Sequence, residues 1–366
     1  MRYLSAISKK RLRGAQVLLR VDFNIENRRE VFRLDAAIPS IRFLLAQRAR
    51  VILMSHRGRP QGFSKEESLR IVLPYLKKQL GASTTLLPDF DFKTIRKRVA
   101  HPAHSALFLL ENLRFLPGEK RGSPALAREL AALGDLYVND AFSVCHRRNA
   151  SVTELPKLLP SYAGLRLEQE IQNLSRAKAH ARRPLILILG GVKVSDKLGV
   201  LRAFSDRADA FLVGGACANT FLKARGSEIG SSVYEPKMVA AARRLLRTKK
   251  IVLPADFVSH RNRFLDVGPL TLRRFGDWIR RARTIIWNGP MGYFEEKQFR
   301  HGSYSIAQMI AKSRAFSVVG GGETTELITL LRLQSRFSFV STGGGAMLAF
   351  LAGENLPGLA ALHYYR

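Results

Sequence analysis

LILILGGVKVSDK, residues 185–197, decides the fold. Five leucines and isoleucines in a row, with no polar alternation, describe a strand buried on both faces. Gly190 and Gly191 end the run, and VKVSDK reads as the start of a helix. A strand that turns on glycines into a helix is the building unit of a parallel α/β sheet.

The same pattern recurs in the second half. AFLV runs to Gly214-Gly215, SVV to Gly320-Gly321-Gly322 and FVST to Gly343-Gly344-Gly345. Apolar runs in the first half end differently. VLLRV leads to Asp22 and Asn24, VILM to His56 and Arg59, LFLLEN to Arg114, and LYVNDAF to His146 and Arg147. Ligands of open α/β sheets bind beyond the carboxyl ends of the strands. The first half is therefore suited to holding a small polyanion with charged side chains. The second is suited to bringing backbone close to a phosphate chain. Two phosphorylated ligands facing one another suggest phosphoryl transfer.

Strand-like runs fall at 17–21, 50–54, 107–111 and 135–139, then at 185–189, 210–213, 250–253, 283–287, 316–319 and 337–341. Between them, LDAAIPSIRFLLAQR (34–48) and PALARELAAL (124–133) repeat apolar residues every three or four positions, as in a helix. LRLEQEIQNLSRAKAH (165–180) reads as one helix between the halves, and the domain boundary is expected within it. The expected class is α/β, with parallel strands and crossover helices.

A chain of 366 residues is long for one core and suits two domains. Its 46% apolar content excludes a disordered chain. No apolar run approaches the ~20 residues needed to span a bilayer. The opening MRYLSAISKKRLRG lacks an apolar core and cleavage site, so no secretory signal is expected. Cys145 and Cys217 are too few for a disulfide framework and suit a reducing cytoplasm.

The net charge of +31 fits an anionic substrate, nucleic acid or an anionic membrane surface. Its clusters, KTIRKR (93–98), RRLLRTKK (243–250) and RRAR (280–283), lack aromatic interleaving. They favour a general basic bias over a nucleic-acid role, with nonspecific sticking to polyanions at low salt.

Asp22, Asn24, Arg33, His56, Arg59, Arg114 and Arg147 come from different loops. Arginine's planar fork bonds carboxylate or phosphate bidentately. Any one of these arginines alone would be a solvated surface residue. Four in one domain, mostly at strand ends, suggest an anion basket. In GGVKVSDK, Lys193 and Lys197 are expected on one helix face, and Gly190 and Gly191 to free backbone N–H groups for an oxyanion. The competing reading is a plain turn with two surface lysines. No GxxxxGK[ST] loop occurs. GGGETT (320–325) resembles a phosphate nest, with Glu323 either beside Mg²⁺ or simply complementing the helix dipole. In WNGPMGYFE (287–295), Asn288 and Glu295 are candidates for a nucleotide, while Trp287 and Phe294 are expected in the core. STGGGAM (341–347) suits backbone crowding. His101, His104, His260 and His301 show no metal-ligand spacing and are expected on the surface. Cys145 and His146 are adjacent, so their side chains diverge and do not form a nucleophile pair.

RVDFN (20–24), SHRGRP (55–60), LLENLRF (109–115), VNDAF (138–142), GGVKVSDK, WNGPMGYFE, GGGETT and STGGGA together closely resemble the phosphoglycerate kinase family, in its order and over nearly the whole chain. The resemblance implies two doubly wound, Rossmann-like parallel-sheet domains. Residues 1–164 would take the phosphoglycerate, 165–181 form the interdomain hinge helix, 182–345 take the nucleotide, and 346–366 return to the N-terminal domain. It implies reversible transfer of the acyl phosphate of 1,3-bisphosphoglycerate to Mg·ADP, giving 3-phosphoglycerate and ATP in glycolysis. Transfer would be direct and in line after domain closure, in a cytoplasmic monomer.

By the same resemblance, Asp22, Phe23, Asn24, Arg33, His56, Arg59, Arg114 and Arg147 bind the glycerate and its stationary phosphate. Arg33 also reaches the moving group. Lys193 and Lys197 contact the nucleotide phosphates and the group in flight, and with Arg33 form the expected catalytic set. Gly191, Gly214, Asn288, Gly321, Gly322 and Thr324 surround the nucleotide, Glu295 meets the ribose, and Glu323 lies near Mg²⁺.

The chain departs from the family pattern in places. Glu323 replaces an aspartate, Asn149 a histidine, Val192 an alanine and Phe264 a glycine near the base pocket. RFLDVGP (263–269) comes after a shortened connection, and ENRREV (26–31) is short and lacks a proline. These changes bear on nucleotide affinity more than on the reaction. Two alternatives stand beside the kinase: a catalytically weak relative whose basic surface binds RNA or another polyanion, and a kinase for a different phosphorylated acid.

Overall fold

The computed structural model describes residues 1–27, 30–81, 84–101 and 106–365. The chain divides into two compact units, Met1–Ile171 with the segment from Asn355 onward, and Gln172–Glu354.

Among the described residues of the first unit, β1 (Gln16–Arg20), β2 (Arg50–Met54), β3 (Thr85–Leu87), β4 (Leu107–Leu110), β5 (Leu136–Asn139) and β6 (Ser161–Ala163) form one sheet. Its order is β3-β4-β2-β1-β5-β6, and every neighbouring pair is parallel. Parallel neighbours need crossovers, which helices such as Phe32–Ala46 supply. Val17, Leu18 and Leu19 are fully buried on alternate faces, which is why the run is continuous rather than alternating. The chain leaves β1 towards β2 and later resumes on the other side with β5. The crevice beyond the ends of β1 and β5 is thus a topological switch point, where such sheets bind ligands.

The second unit repeats the plan with β7 (Leu185–Leu189), β8 (Ala210–Val213), β9 (Ile251–Val252), β10 (Phe257–His260), β11 (Arg263–Val267), β12 (Thr284–Asn288), β13 (Phe316–Gly320) and β14 (Phe339–Val340). Its parallel sheet has the order β14-β13-β12-β7-β8-β9, while β10 and β11 form a separate antiparallel hairpin. The switch point lies between β7 and β12.

β3, β6 and the hairpin are absent from the sequence expectation. The first two are three residues long, and the hairpin mixes polar with aromatic residues, so none forms an apolar run. Helix Leu165–Ala179 carries the chain from the first unit into the second. Helix Gly344–Ala352 packs on helix Leu198–Ala203 and belongs to the second unit, so the return begins at Asn355 rather than at residue 346. There the Gly358 N–H donates to the Cys145 carbonyl at 2.8 Å, and a side chain at Gly358 would strike Cys145.

Candidate functional site

Beyond β1 the chain turns sharply, because the Phe23 N–H donates to Ser55 Oγ (2.8 Å) and Asn24 N–H to Asp22 Oδ1 (3.0 Å). The turn leaves Asp22 nearly buried, where its Oδ2 accepts from Arg33 Nη1 and Ser143 Oγ, both at 2.6 Å. Asn24 Oδ1 accepts the Gly58 N–H at 2.8 Å, tying the loop after β1 to the loop after β2. Arg114 donates to the Gly58 carbonyl from the loop after β4. Arg147, from the loop after β5, donates through Nε to His146 Nε2 at 3.3 Å.

The electrostatics show that these loops converge. His56 is 3% exposed, and burial, then Arg20, Arg114, Arg147 and Arg33, hold its imidazole well below the ordinary histidine range. Burial and the neighbouring Arg147 and Arg20 pull Arg114 down to about 10. Burial and Arg59 lower Arg147. Crowding like charges this closely costs energy unless an anion joins them. The carboxylates acting on Arg114 are Asp22 and the buried Glu119, too few to neutralise the group.

Some expected residues take other parts. Phe23 turns its side chain into the hydrophobic core, leaving only backbone in the loop. Asn149 is buried, donates to the Glu119 carbonyl (3.3 Å) and starts the turn Ala150–Glu154. Cys145 is fully buried and its thiol is pushed up to about 12 by burial, which suits no nucleophile.

In the second unit, a cavity of about 570 Å³ lies among Gly191, Gly215, Phe264, Pro290, Glu295 and Glu323. Its glycines act differently from expectation. The Gly190 N–H donates to the Asn288 carbonyl (2.9 Å) and that of Gly191 to the Pro290 carbonyl (2.8 Å), so neither is available to an oxyanion. A Cβ at Gly190 would strike the Pro290 carbonyl, and one at Gly214 would strike Met291. These glycines let three strand-end turns press together. Gly344 does the same against Gly321.

Lys193 is exposed in the turn, and Lys197 ends the short helix Ser195–Lys197 at 7% exposure, so they do not share an α-helical face. Glu235 imposes this by accepting the Ser195 N–H at 3.0 Å. A Cβ placed on Gly191 would lie 3.5 Å from Lys197 Nζ and 3.8 Å from Glu323 Oε2, so both tips overhang that turn. Loss of water and the nearby Glu295 push the Glu323 carboxyl up, and Lys197 opposes them. Gly321 has φ +111°, and nothing crowds Gly322 at the start of helix Gly322–Leu330. Thr324 is buried and accepts the Gly289 N–H at 2.8 Å, fastening the β12 turn to that helix. Asn288 Nδ2 is spent on the Gly320 carbonyl (2.8 Å). At one side of the cavity, Phe257 and Phe264 stack with centroids 4.1 Å apart. Trp287 and Phe294 are core, as expected.

The phosphoglycerate kinase family model matches residues 7–354. A phosphoglycerate kinase of Dictyoglomus turgidum is 40% identical over 380 residues, covering 96% of each chain. This chain belongs to the phosphoglycerate kinase family. Solved phosphoglycerate kinases from Coxiella burnetii and Pyrococcus horikoshii match it with TM-scores of 0.83 and 0.88, at 34% and 30% identity, over 99% of this chain and 98% of theirs.

Within this kinase framework, sequence reasoning missed Arg20, Glu119 and Ser151, which lie against the His56 cluster. The available signal was an arginine inside the apolar run VLLRV, a place where charge needs partners. His101, His260 and His301 are exposed, and His104 lies outside the described residues. No described group of three or more His, Cys, Asp or Glu side chains could hold a metal by itself. No described helix is long and apolar enough to cross a membrane.

Proposed function

We propose that this chain is an active phosphotransferase that reversibly moves the acyl phosphate of 1,3-bisphosphoglycerate to ADP, giving 3-phosphoglycerate and ATP. The observation that carries the reading is the convergence of Arg33, Arg114 and Arg147 on His56 in a chain of this family. The first unit takes the phosphoglycerate through Asp22, Asn24, Arg33, His56, Arg59, Arg114 and Arg147. The second takes the nucleotide over Gly191 and Gly321–Gly322, with Lys193, Lys197 and Glu295 at its edges.

A moving phosphoryl group spreads charge over its equatorial oxygens, so catalysis is mainly positioning and electrostatic stabilisation. Arg33 approaches the group from the phosphoglycerate side and Lys197 from the nucleotide side. Transfer requires the two ligands to be brought into line, and closure around them excludes the water that would hydrolyse an acyl phosphate. Mg²⁺ bound with the nucleotide would neutralise phosphate charge, and Glu323 would hold it, since such an ion needs only one or two carboxylates beside the phosphates. The chain would act as a monomer, and a place in the cytoplasm fits the buried Cys145 and Cys217, which form no disulfide.

The test is a coupled assay of purified protein with Mg·ATP and a panel of phosphorylated acids. ADP formation that depends on 3-phosphoglycerate is expected. Its absence, or preference for another acid, would refute the reading.

A further inference from the structure

Arg20 ends β1 and is 1% exposed, yet each nitrogen of its guanidinium has a partner. Nη1 donates to the Val21 carbonyl (2.6 Å), Nε to Ser151 Oγ (3.0 Å), and Nη2 lies 3.2 Å from His56 Nδ1. Ser151 in turn is gripped by Glu119, which is fully buried and accepts from its N–H (3.0 Å) and Oγ (2.6 Å). Glu119 Oε1 also lies 3.9 Å from Arg20 Nη2. The result is a buried chain running Glu119–Ser151–Arg20–His56.

The direction of the last bond is forced. A guanidinium has five N–H donors and no acceptor. His56 Nδ1 must therefore accept, and a neutral imidazole that accepts at Nδ1 carries its proton on Nε2. Burial among arginines keeps the ring neutral. The chain thus settles which ring nitrogen carries the proton, as a partner of one ring nitrogen does in general.

We propose that Arg20, braced by Ser151 and Glu119, is a positioning residue that locks His56 as the neutral Nε2–H tautomer, so that it donates a hydrogen bond to an oxygen of the bound phosphoglycerate. The ligand half of this rests on the phosphoglycerate-binding role proposed for the first unit. Locked this way, His56 adds a neutral donor of fixed direction beside the charged forks of the arginines. The opposite tautomer would turn a lone pair towards an anion.

Two-bond ¹H–¹⁵N spectra of the ¹⁵N-histidine-labelled wild-type protein, with the His56 signal assigned by its loss in His56→Gln, test the lock. The expected result is an unprotonated Nδ1 and a protonated Nε2 at pH 7, with or without 3-phosphoglycerate. A protonated Nδ1, in either tautomer or imidazolium form, would overturn it, and this readout needs no kinase activity. The functional half uses Arg20→Met combined with Glu119→Gln, so that no carboxylate is left unpaired. The expected result is mixed tautomers and a roughly tenfold rise in KM for 3-phosphoglycerate, the loss of about one hydrogen bond, with KM for ATP unmoved. A folded double variant with a single Nε2–H tautomer, or with both KM values moved alike, would overturn the positioning role. If that variant does not fold, the wild-type spectrum decides.

Discussion

Asp22 and Arg33 are joined by a 2.6 Å ion pair, Oδ2 to Nη1, at the edge of a group otherwise dominated by cations. Asp22 is nearly buried and also held by Ser143, whereas the Arg33 side chain keeps 27% of its surface in solvent. A pair whose arginine is partly solvated is screened on that side and contributes modestly, of order 1 kcal/mol. Asp22 therefore aims Arg33 more than Arg33 stabilises the fold. Arg33→Ala is expected to lower Tm by no more than about 4 °C. It should lower kcat by about a thousandfold, as loss of an arginine on a transferring phosphoryl group does. Thermal melts and steady-state kinetics check both, and near-normal turnover would remove Arg33 from the chemistry.

Lys197 and Lys193 differ in burial, and their variants should differ in kind. Lys197 is 7% exposed with its tip over Gly191, where low solvation strengthens its pull on a developing charge. Lys197→Ala is expected to cut kcat by at least about a hundredfold, without unfolding the protein. Lys193, exposed in the turn, should mainly raise the nucleotide KM when changed to alanine. Equal effects of the two substitutions on kcat would contradict this ordering.

Asp140 gives a pH prediction. It comes directly after β5 and caps helix Leu165–Ala179 through Oδ1, accepting from Arg166 N (2.8 Å) and Leu167 N (3.1 Å). Burial raises its carboxyl from 3.8 to about 6, against these hydrogen bonds. The folded chain therefore binds this proton more tightly than the unfolded chain. Its contribution to stability is fully present below about pH 4 and is lost as pH climbs through 6. Asparagine keeps the capping oxygen and removes the buried charge. Asp140→Asn is expected to gain up to about 3 kcal/mol at pH 8 and about half of that at pH 5. Urea unfolding at the two pH values measures it, and a larger gain at pH 5 would reverse the sign.

The charge of +31 predicts polyanion binding of a plain kind. Random-sequence RNA should bind at about 20 mM salt and release steeply by about 200 mM, without sequence preference. Filter binding across a salt series checks this. Sequence-selective retention at physiological salt would favour a nucleic-acid role instead.

Legibility in the sequence depends on burial and locality. Strands such as Val17–Leu19 and Leu185–Leu189 are buried on both faces, so their apolar runs announce them. β3 and β6 are too short to do so, and the Phe257–Val267 hairpin is part of the cavity wall rather than of a sheet core. The arginines at strand ends could be read because the switch point places loop ends together whatever the connections. What each glycine does could not. Whether the Gly190 N–H faces a ligand or the Asn288 carbonyl depends on β12 lying beside β7, a pairing across almost 100 residues. Arg20 was hidden for the same reason, since its partner Ser151 lies 131 residues away.

Direct transfer between ligands is tested most sharply by stereochemistry. Purified protein is given ATP chiral at the γ-phosphorus through oxygen isotopes, together with 3-phosphoglycerate, and the configuration of the product acyl phosphate is read. A single in-line step gives inversion, which is the expected result. Retention, the mark of a phosphorylated enzyme intermediate, or no transfer dependent on 3-phosphoglycerate, would contradict it.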